Sequence, residues 1–285
     1  MKKYSAFSLT ELAITITILG ILIVGIGQGS RIITKTQLTS ARNQTKTNSV
    51  SVTKNLVAWY ETTSEASLKK IQSYNNNAID TWHDINPQAS VKNDLIRDYD
   101  THVQYRTNAI NGLPALYFDG DITDQTTFFF ASALPSASSA FTFFIVSKMV
   151  SDADSNYRVL LRNGDVGTGW LYQANIGLYR QVTFYSSATT LNEGNGLTSA
   201  PEIVSGLYDG TNFTLYVNGT VKNTDAIAAP NTPTNVLYVG ANSPTDVPWL
   251  GYVGEIIVFD RDLETEEQIE IERYLGRKWK IRTNR

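Results

Sequence analysis

A long segment without charge lies close to the N-terminus and constrains the fold more than any other feature. From Leu12 to Ser30 the chain has 19 consecutive uncharged residues, close to the roughly 20 that a helix needs to cross the apolar core of a bilayer. The leader before it, residues 1–6 (MKKYSA), carries two lysines as its only charges. Because basic flanks stay in the cytoplasm, the pattern predicts a transmembrane segment at about residues 10–30, with the rest of the chain outside.

One acidic residue, Glu11, lies at the start of this segment. A carboxylate inside lipid costs about 2.5–3.5 kcal/mol at the centre of a helix and less near its end, so Glu11 is expected to have a partner. A cleaved secretory signal and a plain signal anchor are the alternatives, and neither accounts for this acid.

The leader, the sequence FSLTEL at 7–12 and the Ile/Leu-rich stretch after it resemble the class III signal of type IV pilins and pseudopilins. The resemblance implies that a prepilin peptidase cuts between Ala6 and Phe7 and that the new N-terminus, Phe7, is methylated. It also implies that Glu11 neutralises the amine of a neighbouring subunit during assembly. Ala6 is a departure, since the family usually has Gly there. Residues 7–54 would form the pilin-type helix, its second half packed on the globular head.

Composition limits the function of the remaining residues, 55–285. The chain has no cysteine, so it forms no disulfide and performs no thiol chemistry. Its net charge of −3 gives no basis for binding nucleic acid.

Short segments rich in Val, Ile, Tyr and Phe, separated by Gly, Asn, Asp, Pro and Ser, predict an all-β head. Asn218-Gly219 predicts a two-residue hairpin turn, and the stretch 61–114 is expected to form loops with a short helix near Ser67–Ser73. The predicted strands are Leu56–Tyr60, Ala115–Phe118, Phe128–Ala131, Phe141–Ser147, Arg158–Arg162, Trp170–Gln173, Val182–Tyr185, Glu202–Tyr208, Phe213–Val217, Asn235–Val239 and Tyr252–Phe259.

A second resemblance covers nearly all of this head. The sequences LVAWYE, TWHD, INGLPALYFDG, FTFFIVSK, FTLYVNG and LGYVGEIIVFDRDLETEEQIEIERYLGRKW occur in that order and are similar to the concanavalin A-like lectin/glucanase jelly roll in its laminin-G-like form. The expected fold is therefore a long N-terminal helix followed by a β-sandwich and a short C-terminal helix. That last helix is predicted to be capped by Thr265 with Gln268 and to dock through Ile269, Tyr274, Leu275 and Trp279. A standard pilin head with one small sheet is the alternative.

Catalysis is not expected. Glucanases of this fold use acidic residues that alternate along one strand face, whereas the nearest string here, Glu270-Ile271-Glu272, falls in the predicted helix, where residues two apart do not share a face. We interpret it as a solvated helix surface. Only two histidines are present, and the sequence contains no recognisable Ser/His/Asp grouping or histidine metal site.

Binding is the more plausible role of the head. Asp119, Asp121 and Asp124 could supply oxygen ligands to Ca²⁺, although a polar turn explains them as well, and no other cofactor is indicated. Trp249, between Pro248 and Gly251, is the best candidate for an exposed aromatic residue that stacks on a sugar. Trp82 and Trp170 could stack on a sugar in the same way, although core packing is the expected role of Trp82.

The sequence therefore predicts a minor pilin or pseudopilin that carries a lectin-like sandwich. It would enter the bacterial inner membrane as a precursor and meet the peptidase and the assembly platform. It would then join other subunits in a type IV pilus or a type II secretion-like filament, for adhesion to a glycan or a surface protein. The alternatives are a membrane-anchored carbohydrate-binding protein that does not polymerise and a secreted glycan hydrolase.

Overall fold

The computed structural model describes residues 8–97, 103–121, 129–131, 140–150, 158–164, 170–174, 179–184, 189–194, 198–228, 236–241 and 248–285. At 23–31, 129–131, 179, 189–190 and 192–194 the description covers the backbone only.

The chain begins with one long helix, α1 (Leu9–Lys46). It ends at Lys46, short of the predicted residue 54, because the side-chain amide of Asn48 donates hydrogen bonds to the carbonyls of Gln44 and Thr45. These bonds satisfy the free carbonyl groups of the last helical turn, and turns follow as far as β1.

The described residues form sixteen strands in two eight-stranded sheets, which we call sheet A and sheet B. The strands are β1 (Leu56–Glu61), β2 (Thr81–Trp82), β3 (Leu95–Arg97), β4 (Gln104–Ile110), β5 (Leu113–Asp119), β6 (Phe129–Ala131), β7 (Phe141–Met149), β8 (Arg158–Asn163), β9 (Trp170–Ala174), β10 (Tyr179–Phe184), β11 (Thr189–Gly194), β12 (Glu202–Tyr208), β13 (Asn212–Val217), β14 (Thr220–Ala226), β15 (Leu237–Val239) and β16 (Leu250–Phe259). Sheet A has the order β14-β13-β12-β7-β16-β5-β4, with β1 also paired to β16, and sheet B has the order β11-β10-β9-β8-β15-β6-β3-β2. Neighbouring strands of both sheets pair antiparallel throughout the described residues, as is typical of a sandwich of this kind.

The central strands of sheet A are buried on both faces over most of their length. In β7, Phe143 and Ile145 belong to the core between the two sheets, whereas Phe144 and Val146 belong to a second core under the helices. Because neighbouring side chains of a strand point to opposite faces, this strand is apolar almost throughout. The head therefore has three layers, which are the helices, sheet A and sheet B.

The C-terminal helix α2 (Thr265–Trp279) lies on the outer face of sheet A. The predicted cap was one residue too late, because Glu264 is the N-cap and exchanges hydrogen bonds with Glu267. Tyr274, Leu275 and Trp279 are buried as predicted, while Ile269 is only partly buried and Ile271 takes its place in the core. Gly254 of β16 allows this close packing, since a Cβ there would lie 2.5 Å from the ring of Trp279.

Most predicted strands are confirmed, with small differences at their ends. The hairpin turn at Asn218-Gly219 is also confirmed, since both residues have positive φ. In the stretch 61–114 the short helix predicted near Ser67–Ser73 is present as a 3-10 helix at Lys70–Gln72. The prediction that the rest of this stretch forms loops is wrong, because it contains β2, β3 and β4.

Candidate functional site

The first half of α1 exposes a continuous apolar surface. Eight large apolar side chains between residues 9 and 22 are each at least 52% exposed: Leu9, Leu12, Ile14, Ile16, Ile18, Leu19, Ile21 and Leu22. An apolar surface of this extent marks a contact with another apolar partner. Among the residues whose side chains are described, no helical stretch combines the length and the apolarity that a membrane span needs. The segment predicted at 10–30 includes residues 23–30, of which only the backbone is described.

Glu11 lies at the start of this helix and caps it. Its Oε2 accepts a hydrogen bond from the backbone nitrogen of Ser8 at 2.8 Å, and the hydroxyl of Ser8 accepts one from the nitrogen of Glu11 at 3.2 Å. This reciprocal pair is a capping box, which the sequence analysis missed although the signature, Ser8 followed by Glu three residues later, is present. Ala6 and Phe7 lie outside the described residues.

The second half of α1 is docked on the sandwich. Ala41 is 1% exposed and belongs to the core under the helices, and Thr45 is also buried. Nε of Arg42 donates a hydrogen bond to the carbonyl of Thr63 at 2.8 Å. Gln37 lies against the turn at Gly112, where a Cβ would be 2.3 Å from its Oε1. The helix is therefore fixed to the head by packing and by hydrogen bonds, as the pilin resemblance implied.

A fully buried ion cluster lies beneath this junction. Glu61 at the end of β1 is the register partner of Glu255 in β16, and Lys278 of α2 reaches both. Its Nζ lies 2.9 Å from Glu61 Oε2 and 2.9 Å from Glu255 Oε2, and all three side chains have no solvent exposure. Burial alone would lower the pKa of Lys278, but the attraction of Glu255 and Glu61 outweighs it and raises that pKa.

Further donors compensate the second negative charge of this cluster. The indole nitrogens of Trp59 and Trp279 each donate to Glu255 at 2.8 Å, and the hydroxyl of Tyr274 donates to it at 2.7 Å. Burial, together with the charges of Glu255 and Glu61, raises the pKa of Tyr274 well above its usual value, so that its hydroxyl remains a donor. The same tyrosine also interacts with Thr45 of α1, which links the ion cluster directly to the long helix.

Glu61 is held in addition by the chain that follows it. The backbone nitrogen and the hydroxyl of Thr63 donate to its Oε2 at 2.6 Å each, and the nitrogen of Ser64 donates to Oε1. A buried charge is tolerated only when it is paired and hydrogen-bonded in this way.

The sequence contained one signal for this cluster. Ile271, Tyr274, Leu275 and Lys278 follow the i, i+3, i+4, i+7 spacing of a buried helix face, so Lys278 occupies an apolar position. A lysine at such a position needs a buried carboxylate.

Glu272 corrects the interpretation of the Glu270-Ile271-Glu272 string as solvated. Glu270 is exposed, but Glu272 is completely buried, and its Oε1 accepts hydrogen bonds from Ser205 at 2.6 Å and from Gln268 at 3.0 Å. Burial raises its pKa, while the bond from Ser205, the charge of Arg285 and the bond from Gln268 oppose the shift only in part.

This raised pKa makes the stability depend on pH. Between the unfolded and the folded pKa of Glu272 the native state binds more protons, so the free energy of unfolding falls as pH rises through that window. We expect Glu272→Gln to remove this contribution and to cost less than about 1 kcal/mol at pH 7, because the amide oxygen still accepts both bonds. Urea unfolding at pH 5 and pH 7 measures the free energy of unfolding of the native chain and of Glu272→Gln, and the exposed Glu270→Gln is the control. The same change in the free energy of unfolding between pH 5 and pH 7 in the native chain and in Glu272→Gln would contradict this account.

The predicted ligand residues are not assembled into a site. Trp249 was predicted to be exposed, and this is wrong, since it is 1% exposed; Trp82 and Trp170 are buried as well. Asp119 Oδ1 accepts a hydrogen bond from the nitrogen of Asp121 at 3.1 Å, and Asp124 lies outside the described residues. Within the described part of the chain no group of three acidic or histidine side chains is arranged to hold a metal ion.

A cleft of about 450 Å³ lies where α1 meets the segment after β1. Arg42 and Tyr105 line it, and Tyr74 on its rim is 58% exposed. Burial raises the pKa of Tyr105 to about 12. Arg42 is paired with Glu65 at 2.6 Å, and Lys70 adds a further positive charge to the lining of the cleft.

Comparison with known families finds one match at the N-terminus and one in the head. A model described as the prokaryotic N-terminal methylation motif matches residues 1–27. A model described as the concanavalin A-like lectin/glucanases superfamily matches residues 123–269, which is just over half of the 285 residues. The chain belongs to the concanavalin A-like lectin/glucanases superfamily. A search of curated proteins finds no match.

Solved structures agree on the fold of this lectin/glucanase-type head. A structure of botulinum neurotoxin type C, whose cell entry is described as dependent upon interaction with two ganglioside molecules, has a TM-score of 0.57 at 9% identity, over 79% of this chain and 52% of that one. The binding domain of botulinum neurotoxin serotype D/C has a TM-score of 0.56 at 11% identity, with 78% and 52% covered. The binding domain of Paraclostridial Mosquitocidal Protein 1 has a TM-score of 0.53 at 14% identity, with 78% and 52% covered. The chain thus spans about half the length of these proteins, and identities this low establish the fold alone.

The two carboxylates of the ion cluster are unsuited to glycoside hydrolysis. Glu61 and Glu255 bind one ammonium group, but neither is accessible to solvent, whereas a catalytic pair must flank the glycosidic bond of a substrate. The ion cluster is therefore a structural element of the junction between α1, α2 and sheet A.

Proposed function

We propose that the chain is a minor pilin or pseudopilin, a structural subunit of a type IV pilus or a type II secretion-like filament that displays a lectin-like sandwich. The observation that carries this proposal is the combination of the methylation motif at 1–27 with a helix whose first half exposes apolar side chains on all sides. Such a helix requires lipid before assembly and other apolar helices afterwards.

The junction supports a role in a filament rather than a loose tether. A tether would need only a flexible linker, whereas here α1 continues without interruption into residues packed against the sandwich. Any force on the helix would be transmitted to the head through the buried Ala41 and through the hydrogen bond from Arg42 to Thr63.

Adhesion is the proposed purpose of the head. The superfamily includes lectins, and the similar toxin structures are binding domains or depend on gangliosides according to their descriptions. We propose that this head binds a glycan or a surface protein and that the precursor is processed by a prepilin peptidase at Ala6 and Phe7 and assembled by an inner-membrane platform.

Shearing of surface filaments tests the proposal. Cells that express the chain together with a functional filament system are sheared, and the released material is probed for the chain. We expect the chain in the filament fraction, and only in the membrane fraction of cells without the peptidase. A chain that stays in the membrane in both strains would instead favour a carbohydrate-binding protein that is anchored and does not polymerise.

A further inference from the structure

A row of cationic and aromatic side chains crosses the outer face of sheet A at the edge of the core under the helices, against which Tyr252 packs. Tyr117 of β5 and Tyr252 of β16 are register partners, and Tyr252 is also the register partner of Lys148 in β7. Arg106 of β4 pairs with Ala115 and reaches diagonally over Tyr117. We call Arg106, Tyr117, Tyr252 and Lys148 the tyrosine row; all four are partly exposed.

The tyrosine row is held together by ring contacts. The two tyrosine rings have their centroids 5.0 Å apart, the guanidinium of Arg106 lies 5.1 Å from the Tyr117 ring, and the ammonium of Lys148 lies 5.6 Å from the Tyr252 ring. These cation–π contacts hold the long side chains upright on the sheet. With adjacent strands about 4.8 Å apart, the row extends roughly 14 Å over four strands.

The polar groups of the row lack strong partners within the described chain. Neither Arg106 nor Lys148 forms an ion pair with a described carboxylate, and Arg106 donates only to the side chain of Asn76. The hydroxyls of Tyr117 and Tyr252 have no hydrogen-bond partner among the described residues. Asp119 on the same face adds one negative charge near Tyr117, so the two cations leave an excess of one positive charge.

The row lies away from the exposed half of the helix. Gln37 contacts the hairpin turn at Gly112, where α1 leaves the sandwich, and Tyr117 is five residues further along β5. At about 3.3 Å per residue, the row lies roughly 17 Å from that point. A subunit held by its N-terminal helix would therefore keep the row at the far end of sheet A.

We propose that the tyrosine row binds an anionic polysaccharide whose chain lies across the strands. Its carboxylate or sulfate groups would accept charge-assisted hydrogen bonds from Arg106 and Lys148, and its hydroxyls would bond to the two phenols. The proposal rests on the proposed function only in placing the head outside the cell. A glycan is the expected ligand because the aligned phenols offer neutral donors and acceptors between the two cations. This arrangement suits a chain of alternating hydroxyl and acidic groups.

Binding to defined polymers tests this proposal. The full chain, purified in detergent micelles, is titrated with polygalacturonate, which carries carboxylates, with heparin, which carries sulfates, and with neutral dextran. We expect binding to at least one of the two anionic polymers, no binding to dextran, and weaker binding at higher salt because exposed charges are screened. The preferred polymer identifies the acidic group.

Variants then locate the site. Arg106→Gln together with Lys148→Gln should lower the affinity about tenfold or more, and Tyr252→Phe, which removes only a hydroxyl, about threefold. Arg277→Gln, which removes an exposed cation of α2, is the matched control and should change the affinity by less than about twofold. All variants should retain the melting temperature of the native chain.

Three results would overturn the proposal: no binding to either anionic polymer, an unchanged affinity in the Arg106/Lys148 double variant, or equally tight binding to duplex DNA. The last result would indicate attraction to any polyanion. None of them bears on whether the chain is present in sheared filaments, so the proposed function can fail or hold independently.

Discussion

Replacing Glu11 with alanine should leave the chain in the membrane and reduce its amount in sheared filaments by at least about tenfold. An amine at Phe7 and a carboxylate at Glu11 of a neighbouring subunit would neutralise each other inside the helical bundle, and removing one partner leaves the other charge uncompensated in apolar surroundings. That penalty is about 3–5 kcal/mol for a buried pair, far more than tenfold in an equilibrium. Immunoblots of sheared and membrane fractions measure the effect.

The capping role of Glu11 makes a second variant necessary. Its carboxylate accepts a hydrogen bond from the nitrogen of Ser8, so alanine removes a cap as well as a charge. Glu11→Gln retains an acceptor for Ser8 and loses only the charge. We expect the glutamine variant to fail in assembly as alanine does. Normal assembly of Glu11→Gln, with failure of Glu11→Ala, would show that the cap matters and that the charge does not.

Replacing Lys278 with methionine should lower the free energy of unfolding by about 3–5 kcal/mol. Methionine fills a similar volume, but Glu61 and Glu255 would remain as two fully buried carboxylates without a cation. A loss of this size is a large part of the stability of a typical domain. Urea unfolding of the purified chain at pH 7 measures it.

Two further variants separate the charge from packing. Arg277→Met, at the exposed position next to Lys278 in the same helix, should change stability by less than about 0.5 kcal/mol. Adding Glu61→Gln to Lys278→Met should cost less than Glu61→Gln does in the native chain, because the glutamate then has no cation to lose. Strictly additive effects of the two substitutions would contradict a coupled ion cluster.

Sequence patterns correctly predicted strands and turns whose conformation is determined by their own residues. The run of Phe, Ile and Val in FTFFIVSK identified β7, and Asn218-Gly219 identified its hairpin because both positions require positive φ. The strand β4, QYRTNAI, was missed since it interrupts its apolar residues with Arg, Thr and Asn, and it owes its place to pairing with β5. Propensity is a weak guide when a neighbouring strand decides the conformation.

Contacts between residues that are far apart in the chain could not be predicted from the sequence. Trp249 has the Pro and Gly neighbours of a loop, yet its backbone nitrogen bonds to the carbonyl of Gly240 at 2.7 Å and its ring is buried in the core between the sheets. Lys278 stands on an apolar helix face, but its partners are 217 and 23 residues away. The tyrosine row likewise exists only because four separate strands align in register.

The mass of the intact chain recovered from sheared filaments tests the central claim most directly. We expect a single species that begins at Phe7, lacks residues 1–6 and carries one additional methyl group on its N-terminal amine. A chain that retains Met1, or that is absent from the filaments while a peptidase processes other subunits in the same cells, would contradict the account.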